Sequence, residues 1–197
     1  MKTVTETNYI QKLISEGEHV CQDFKFAISD ARKIAKSLSA FANTQGGRLL
    51  VGVKDNGKIA GVRSEEEIYM IDAAGKDVLE VRVAESDRKP ICALDETGKA
   101  WAYVRIKDEN ILASPVHLKI WQHNRNDEKV IVTYSPREQE LLTLLNQQGA
   151  LTLNQCRKLT GMPRHELCRL LADFIRFELV EQVFRGHTFY FQLKETQ

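Results

Sequence analysis

Between Asn8 and Ser15 the apolar residues Ile10, Leu13 and Ile14 fall at helical spacing and predict a short helix. Val20 to Phe26 reads as a strand. Ser29 or Asp30 then caps a helix running to about Thr44, with Ile34, Leu38 and Phe41 along its buried face. Gly46 and Gly47 end that helix, because glycine accepts the positive φ found at a helix C-terminus. Arg48 to Val53 is almost continuously apolar, the pattern of a central strand covered on both faces. Asp55-Asn56-Gly57 is a turn sequence, so Lys58 to Val62 is expected to return as a hairpin arm. Ser64, three residues before Glu67, has the spacing of a capping box and opens another helix.

Val78 to Ala84 alternates and predicts a half-buried strand. Ile91 to Leu94 and Ala100 to Ile106 form a hairpin about Asp95 to Lys99, and Val116 to Gln122 reads as helix. The polar run Asn124 to Lys129 marks a linker, with a short strand from Val130 to Tyr134. Beyond it, Ser135-Pro136 starts a helix that buries Leu141, Leu142, Leu144 and Leu145 and stops at Gly149. A second helix spans Leu153 to Thr160. A third spans Arg164 to Phe177, with Leu167, Leu170, Leu171, Phe174 and Ile175 inward. Two strands, Val180 to Phe184 and Thr188 to Leu193, turn about Arg185-Gly186-His187. Three helices and a hairpin in this order predict a winged helix-turn-helix. The fold class is therefore α+β: an α/β domain over 1–123, a linker over 124–134 and a winged helix over 135–197.

Composition narrows the function. A formal net charge of +1 gives the whole chain no basic signal for nucleic acid, so any such site must be a local patch. No apolar run reaches the ~20 residues of a membrane span, and the first residues lack the apolar stretch of a signal peptide. A cytoplasmic location is the expectation. Cys21, Cys92, Cys156 and Cys168 match no zinc spacing and read as free thiols, with Cys156 and Cys168 filling a core between helices. Gly46-Gly47 follows a helix and leads into a strand, and no Gly-Lys-Ser/Thr occurs, which excludes a nucleotide-binding P-loop.

The candidate chemistry lies in two places. Glu18, Asp23 and Asp55 are three carboxylates beside two predicted strands. Converging, they would repel unless a divalent cation such as Mg²⁺ or Mn²⁺ neutralised them, and bound metal would activate water. The plain alternative is solvated acids, or ion pairs of Glu18 and Asp23 with Lys25, Arg48 or Lys54. In the C-terminal half, Arg164, His165, Arg169 and Arg176 lie on the helix that enters a major groove in DNA-reading relatives of this motif. Arg157 and Lys158 precede it, and Arg185 and His187 mark the wing tip. Acidic residues nearly balance these, as in winged helices that contact proteins.

Three strings carry a resemblance. They are Glu18 to Asp23-Phe24-Lys25, Ala40-Phe41-Ala42-Asn43-Thr44-Gln45-Gly46-Gly47, and Val51-Gly52-Val53-Lys54-Asp55. Together with Lys89-Pro90, Tyr103-Val104-Arg105 and Ala113-Ser114-Pro115, they resemble the Alba-like domain of Schlafen-type proteins over about residues 8 to 120. Bacterial members are described as DNA-binding transcriptional regulators, often with a C-terminal winged helix. The resemblance thus implies a regulator without a cofactor, binding duplex DNA through the C-terminal residues together with Lys25 and Arg48. The alternative it implies is a metal-dependent endoribonuclease, with Glu18, Asp23 and Asp55 as catalytic metal ligands for Mg or Mn. Two departures bear on that alternative. Asp23 stands where the family has Glu, one methylene longer. The enzymes also pair two such domains in one chain, so this chain would need a homodimer. A protein-interaction module is the remaining reading.

Overall fold

The computed structural model describes residues 2–62, 70–73, 75–126 and 135–195, and the chain divides into two compact units, Met1–Leu112 and Ala113–Gln197. The helix expected from Ser64 and the strand expected over Val130 to Tyr134 lie outside the described residues.

The first unit contains α1 (Lys2–Glu16), β1 (Gln22–Lys25), α2 (Ala31–Asn43), β2 (Gly47–Val51), β3 (Met70–Asp72) and β4 (Asp77–Val83). It continues with β5 (Cys92–Leu94), β6 (Ala100–Ile106) and β7 (Glu109–Leu112). One sheet has the order β1-β2-β4-β3, with β1 parallel to β2 and the other pairs antiparallel. A second sheet, β5-β6-β7, is antiparallel. Helix α2 touches β2 of the first sheet and all three strands of the second.

Strand β2 has apolar cover on both faces, as its sequence predicts. Leu50 packs with Ile10 and Leu13 of α1 and with Phe24, while Leu49 and Val51 pack with Phe41 of α2 and Leu79. The Asp30 side chain caps α2 by accepting from the Arg32 N–H at 2.9 Å. The two glycines after α2 do different jobs. Gly46 has φ +71° and donates to the Phe41 carbonyl at 2.9 Å, and a Cβ there would lie 2.7 Å from the Val83 carbonyl oxygen. Gly47 has no positive φ; its Cβ would meet the Phe41 ring at 2.5 Å and the Cys21 carbonyl at 2.8 Å. The second glycine therefore serves close packing and not the helix stop.

The expected hairpin about Asp55-Asn56-Gly57 shrinks to one bridge, Val53 with Ile59. Gly52, at φ +97°, turns the chain after Val51, and its carbonyl accepts from the N–H groups of Ala60 and Gly61. This ends the strand two residues before Val53.

The second unit contains α3 (Pro115–Arg125), α4 (Pro136–Gln148), β8 (Leu151–Thr152), α5 (Leu153–Thr160), α6 (Arg164–Arg176), β9 (Val180–Arg185) and β10 (Thr188–Leu193). Its sheet is β8-β10-β9, antiparallel. Ser114, Ser135 and Thr152 each close a capping box at the start of a helix. Leu141, Leu145, Leu167, Leu171, Phe174 and Phe191 form the core, and Cys156 and Cys168 are buried among them as free thiols.

The expected boundary after residue 123 is corrected. Val116 and Ile120 of α3 pack in the C-terminal core, so the units divide after Leu112. Asn124 and Arg125, expected in the linker, continue α3, and residues 127–134 lie outside the described residues.

Candidate nucleic-acid interface and a buried carboxylate pair

Asp23 sits in the middle of β1, and the strand's parallel pairing with β2 turns its side chain towards α2. It is 3% exposed. One carboxylate oxygen accepts from the Ser37 hydroxyl of α2 at 2.7 Å, and the other from the Lys25 ammonium at 2.9 Å. The Arg105 guanidinium of β6 lies 3.4 Å away. Arg105 is itself buried; it donates to Asn110 Oδ1 at 2.9 Å and to the Gln22 carbonyl at 3.1 Å. The Asn110 amide returns to Ser37 Oγ at 2.9 Å. β1, α2 and β6 thus meet at one carboxylate, and Asn110 of β7 ties Ser37 to Arg105 beside it.

Glu18 faces the same carboxylate from the turn before β1, and its Oε1 accepts from the Phe24 N–H at 2.8 Å. Burial, with the neighbouring Asp23, pushes the Glu18 pKa up to about 7. Burial also works against the charge of Asp23. The hydrogen bonds from Glu18, Ser37 and Lys25 and the charge of Arg105 outweigh it and hold Asp23 below the ordinary carboxylate range. Of the two acids, Glu18 takes the proton and Asp23 keeps the charge.

Asp55 does not join them. It is exposed in the turn after β2, and among the described residues no three Asp, Glu, His or Cys side chains come together as a metal ion requires. The carboxylate of Asp23 is already engaged by Ser37, Lys25 and Arg105, and Asp55 brings no third carboxylate to it. This donor set does not fit a Mg or Mn ion, and the ion-pair alternative, Asp23 with Lys25, is the arrangement present. Lys25 is accordingly tied inward to Asp23. Arg48 is half-buried on β2, opposite Arg82 of β4.

The residues expected at the C-terminal interface divide into two sets. Arg157 and Lys158 are exposed in the last turn of α5, and Gly161, left-handed at φ +66°, turns the chain into α6. Arg164 and His165 are exposed in the first turn of α6, with Arg169 one turn on. Arg169 has Asp173 at 3.7 Å, a loose pair at an exposed site. Arg176, by contrast, is only half exposed, at the end of the helix. Arg185 and His187 are exposed at the β9–β10 turn, where Arg185 reaches Gln192 Oε1 at 3.4 Å and the His187 ring meets Phe184 edge-on.

Sequence reasoning did not place Ser37, Arg105 or Asn110 at the site. Ser37 and Arg105 reach Asp23, and Asn110 links the two, from segments far apart in the chain that no local spacing connects.

Residues 16–71 match the family described as Schlafen, AlbA_2. This stretch is Schlafen/Alba-like, and it spans the turn before β1, the β1-α2-β2 unit that holds Glu18, Asp23 and Ser37, and the chain up to β3. A solved structure is also similar, that of the DIP2311 protein from Corynebacterium diphtheriae, at 17% identity and a TM-score of 0.45. The similarity covers 86% of this chain and 36% of that one. No curated protein matches. Arg105 and Asn110 lie outside the Schlafen/Alba-like stretch, so the Asp23 network reaches beyond the part the family describes. Among the described residues, no helix is long and apolar enough to cross a membrane.

Proposed function

We propose that this protein binds nucleic acid and acts as a DNA-binding transcriptional regulator, with its C-terminal unit as a winged helix on duplex DNA. The observation that carries the reading is the set of exposed basic side chains around the α5–α6 turn, Arg157, Lys158, Arg164 and Arg169, with His165 beside them. Side chains in the first turn of α6 occupy the place from which a recognition helix reads base edges, while those on α5 and the β9–β10 turn reach phosphates. The Schlafen/Alba-like stretch supports a nucleic-acid role for the chain as a whole. In this reading Asp23 is a structural charge, and the protein needs no cofactor.

The test is fluorescence anisotropy with labelled duplex DNA over a salt series. Each lost phosphate contact should flatten the log K against log[salt] slope by about 0.9. Arg157→Ala with Lys158→Ala is expected to flatten it by about 2. Arg164→Ala should weaken specific binding by about 1–3 kcal/mol. Binding that is unchanged in both variants would rule this surface out as the reader. RNA cleavage that appears only with Mn²⁺ and disappears in Asp55→Ala would replace the regulator by a nuclease.

A further inference from the structure

A cleft of about 500 Å³ opens on the first unit between the first two turns of α2 and the β5–β6 hairpin. Trp101 and Tyr103 stand two residues apart on β6, so both rings lie on the strand face that looks towards α2. The Trp101 indole is fixed: its N–H donates to Asp95 Oδ2 at 2.7 Å, and the Lys99 ammonium sits 4.0 Å from the ring centroid. Across the cleft, Lys33 and Lys36 are exposed one turn apart on α2. The Lys36 ammonium lies 5.6 Å from the centre of the Tyr103 ring.

The acidic residues of the cleft are already engaged. Asp95 accepts from Trp101, from the Thr97 hydroxyl and from two backbone N–H groups, which hold its pKa well below the ordinary carboxylate range. Asp30 caps α2, and Arg32 pairs with both Asp30 and Glu96. Lys33 and Lys36 have no carboxylate partner among the described residues, and the Tyr103 hydroxyl makes no hydrogen bond there. What the cleft offers is therefore two aromatic rings, the indole held in place, beside two ammonium groups with no carboxylate partner among the described residues.

That combination fits a base with its phosphate. Aromatic rings stack on any base, and lysines track the backbone without reading sequence. A duplex keeps its base faces inside the stack, so only an unpaired strand can offer them to Trp101 and Tyr103. We propose that this cleft binds single-stranded nucleic acid, stacking bases on Trp101 and Tyr103 and holding the adjoining phosphates on Lys33 and Lys36. The proposal rests on the nucleic-acid reading above but uses a different surface, in the other unit and for a different strand state.

The test is anisotropy of a fluorescein-labelled thymidine strand of about twelve nucleotides, within the usual site size of such grooves. The full chain is used. Trp101→Ala should weaken binding about 5- to 100-fold, and Trp101→Phe, which keeps a stacking ring, should recover most of that. Lys33→Ala with Lys36→Ala should flatten the salt slope by about 1.4, at ~0.7 per phosphate on a single strand. Duplex DNA is titrated in parallel as the readout of the α5–α6 surface, and denaturant unfolding of each variant shows that the first unit, which carries the cleft, is still folded. Loss of single-strand binding in Trp101→Ala with duplex binding intact supports the cleft. Single-strand binding that survives both variants overturns it, and so does a strand that binds no tighter than thymidine monophosphate. Failure of duplex binding while the strand still binds through Trp101 would overturn the C-terminal reading and leave this one standing.

Discussion

Asp23 carries its charge inside the first unit because three elements supply donors to it: Lys25 from its own strand, Ser37 from α2 and Arg105 from β6. Removing it leaves Arg105 buried without a counter-charge. Asp23→Ala is expected to cost about 3–5 kcal/mol, read by denaturant unfolding of the first unit. A cost below about 1 kcal/mol would mean that the pair is solvated. Glu18 behaves in the opposite way. Its folded pKa, about 7, lies above the 4.5 of a freely solvated glutamate. Its contribution is therefore fully present below about pH 4.5 and is lost as pH rises through about 7. Glu18→Gln should raise stability at pH 8, by roughly 1 kcal/mol once partial exposure is allowed for, and change it little at pH 5. A carbon-13 titration that places the Glu18 carboxyl near 4.5 would refute the assignment. Asp23 shifts downward, so its share is lost on the acid side as pH falls.

At the scale of elements, α2 is the part on which the first unit is organised. Its Ser39 hydroxyl donates to the Ile91 carbonyl and accepts from the Tyr103 N–H. The Asn43 amide donates to the carbonyls of Ile91 and Tyr103, and its oxygen accepts from the Ile91 N–H. Both residues are buried, so the helix satisfies backbone groups of the second sheet that no strand pairs. The turn after α2 must then bring β2 back tightly. Gly46→Ala would force a Cβ against the Val83 carbonyl at a positive φ, and Gly47→Ala would press one on the Phe41 ring. Each is expected to cost about 1–3 kcal/mol, measured as a shift of the denaturant midpoint at constant slope. If only Gly46→Ala were destabilising, the second glycine would not be a packing residue. The existence of this helix and of its glycine stop was legible in the sequence from Ile34, Leu38 and Phe41. The different reasons for the two glycines were not, since they depend on Val83 and Cys21, which are distant in the chain.

At the scale of the molecule, the division after Leu112 assigns α3 to the C-terminal unit. A fragment starting at Ala113 keeps Val116 and Ile120 in its core, and one starting at Asn124 loses both. The shorter fragment should be less stable by about 3 kcal/mol, from the burial of two such side chains, and thermal melts of the two would show it. Equal melts would return the boundary to the polar run. Periodicity and turn chemistry by themselves determined the helices among the described residues, most strands, the cap at Ser135, a cap at Ser29 or Asp30, and the order helix-helix-helix-hairpin from Ser135 onward. These are local properties, read within one or two turns of chain. The sequence also marked Glu18 and Asp23 as a place for chemistry. Only the tertiary structure decided that Asp55 stands apart from them, that Lys25 and Arg105 meet Asp23, that α3 belongs to the second core, and that Trp101 and Tyr103 face two lysines of α2. The reason is physical. Pattern fixes which face of an element is buried, but the partner that covers it, or the charge that answers it, comes from long-range packing, which local spacing does not encode.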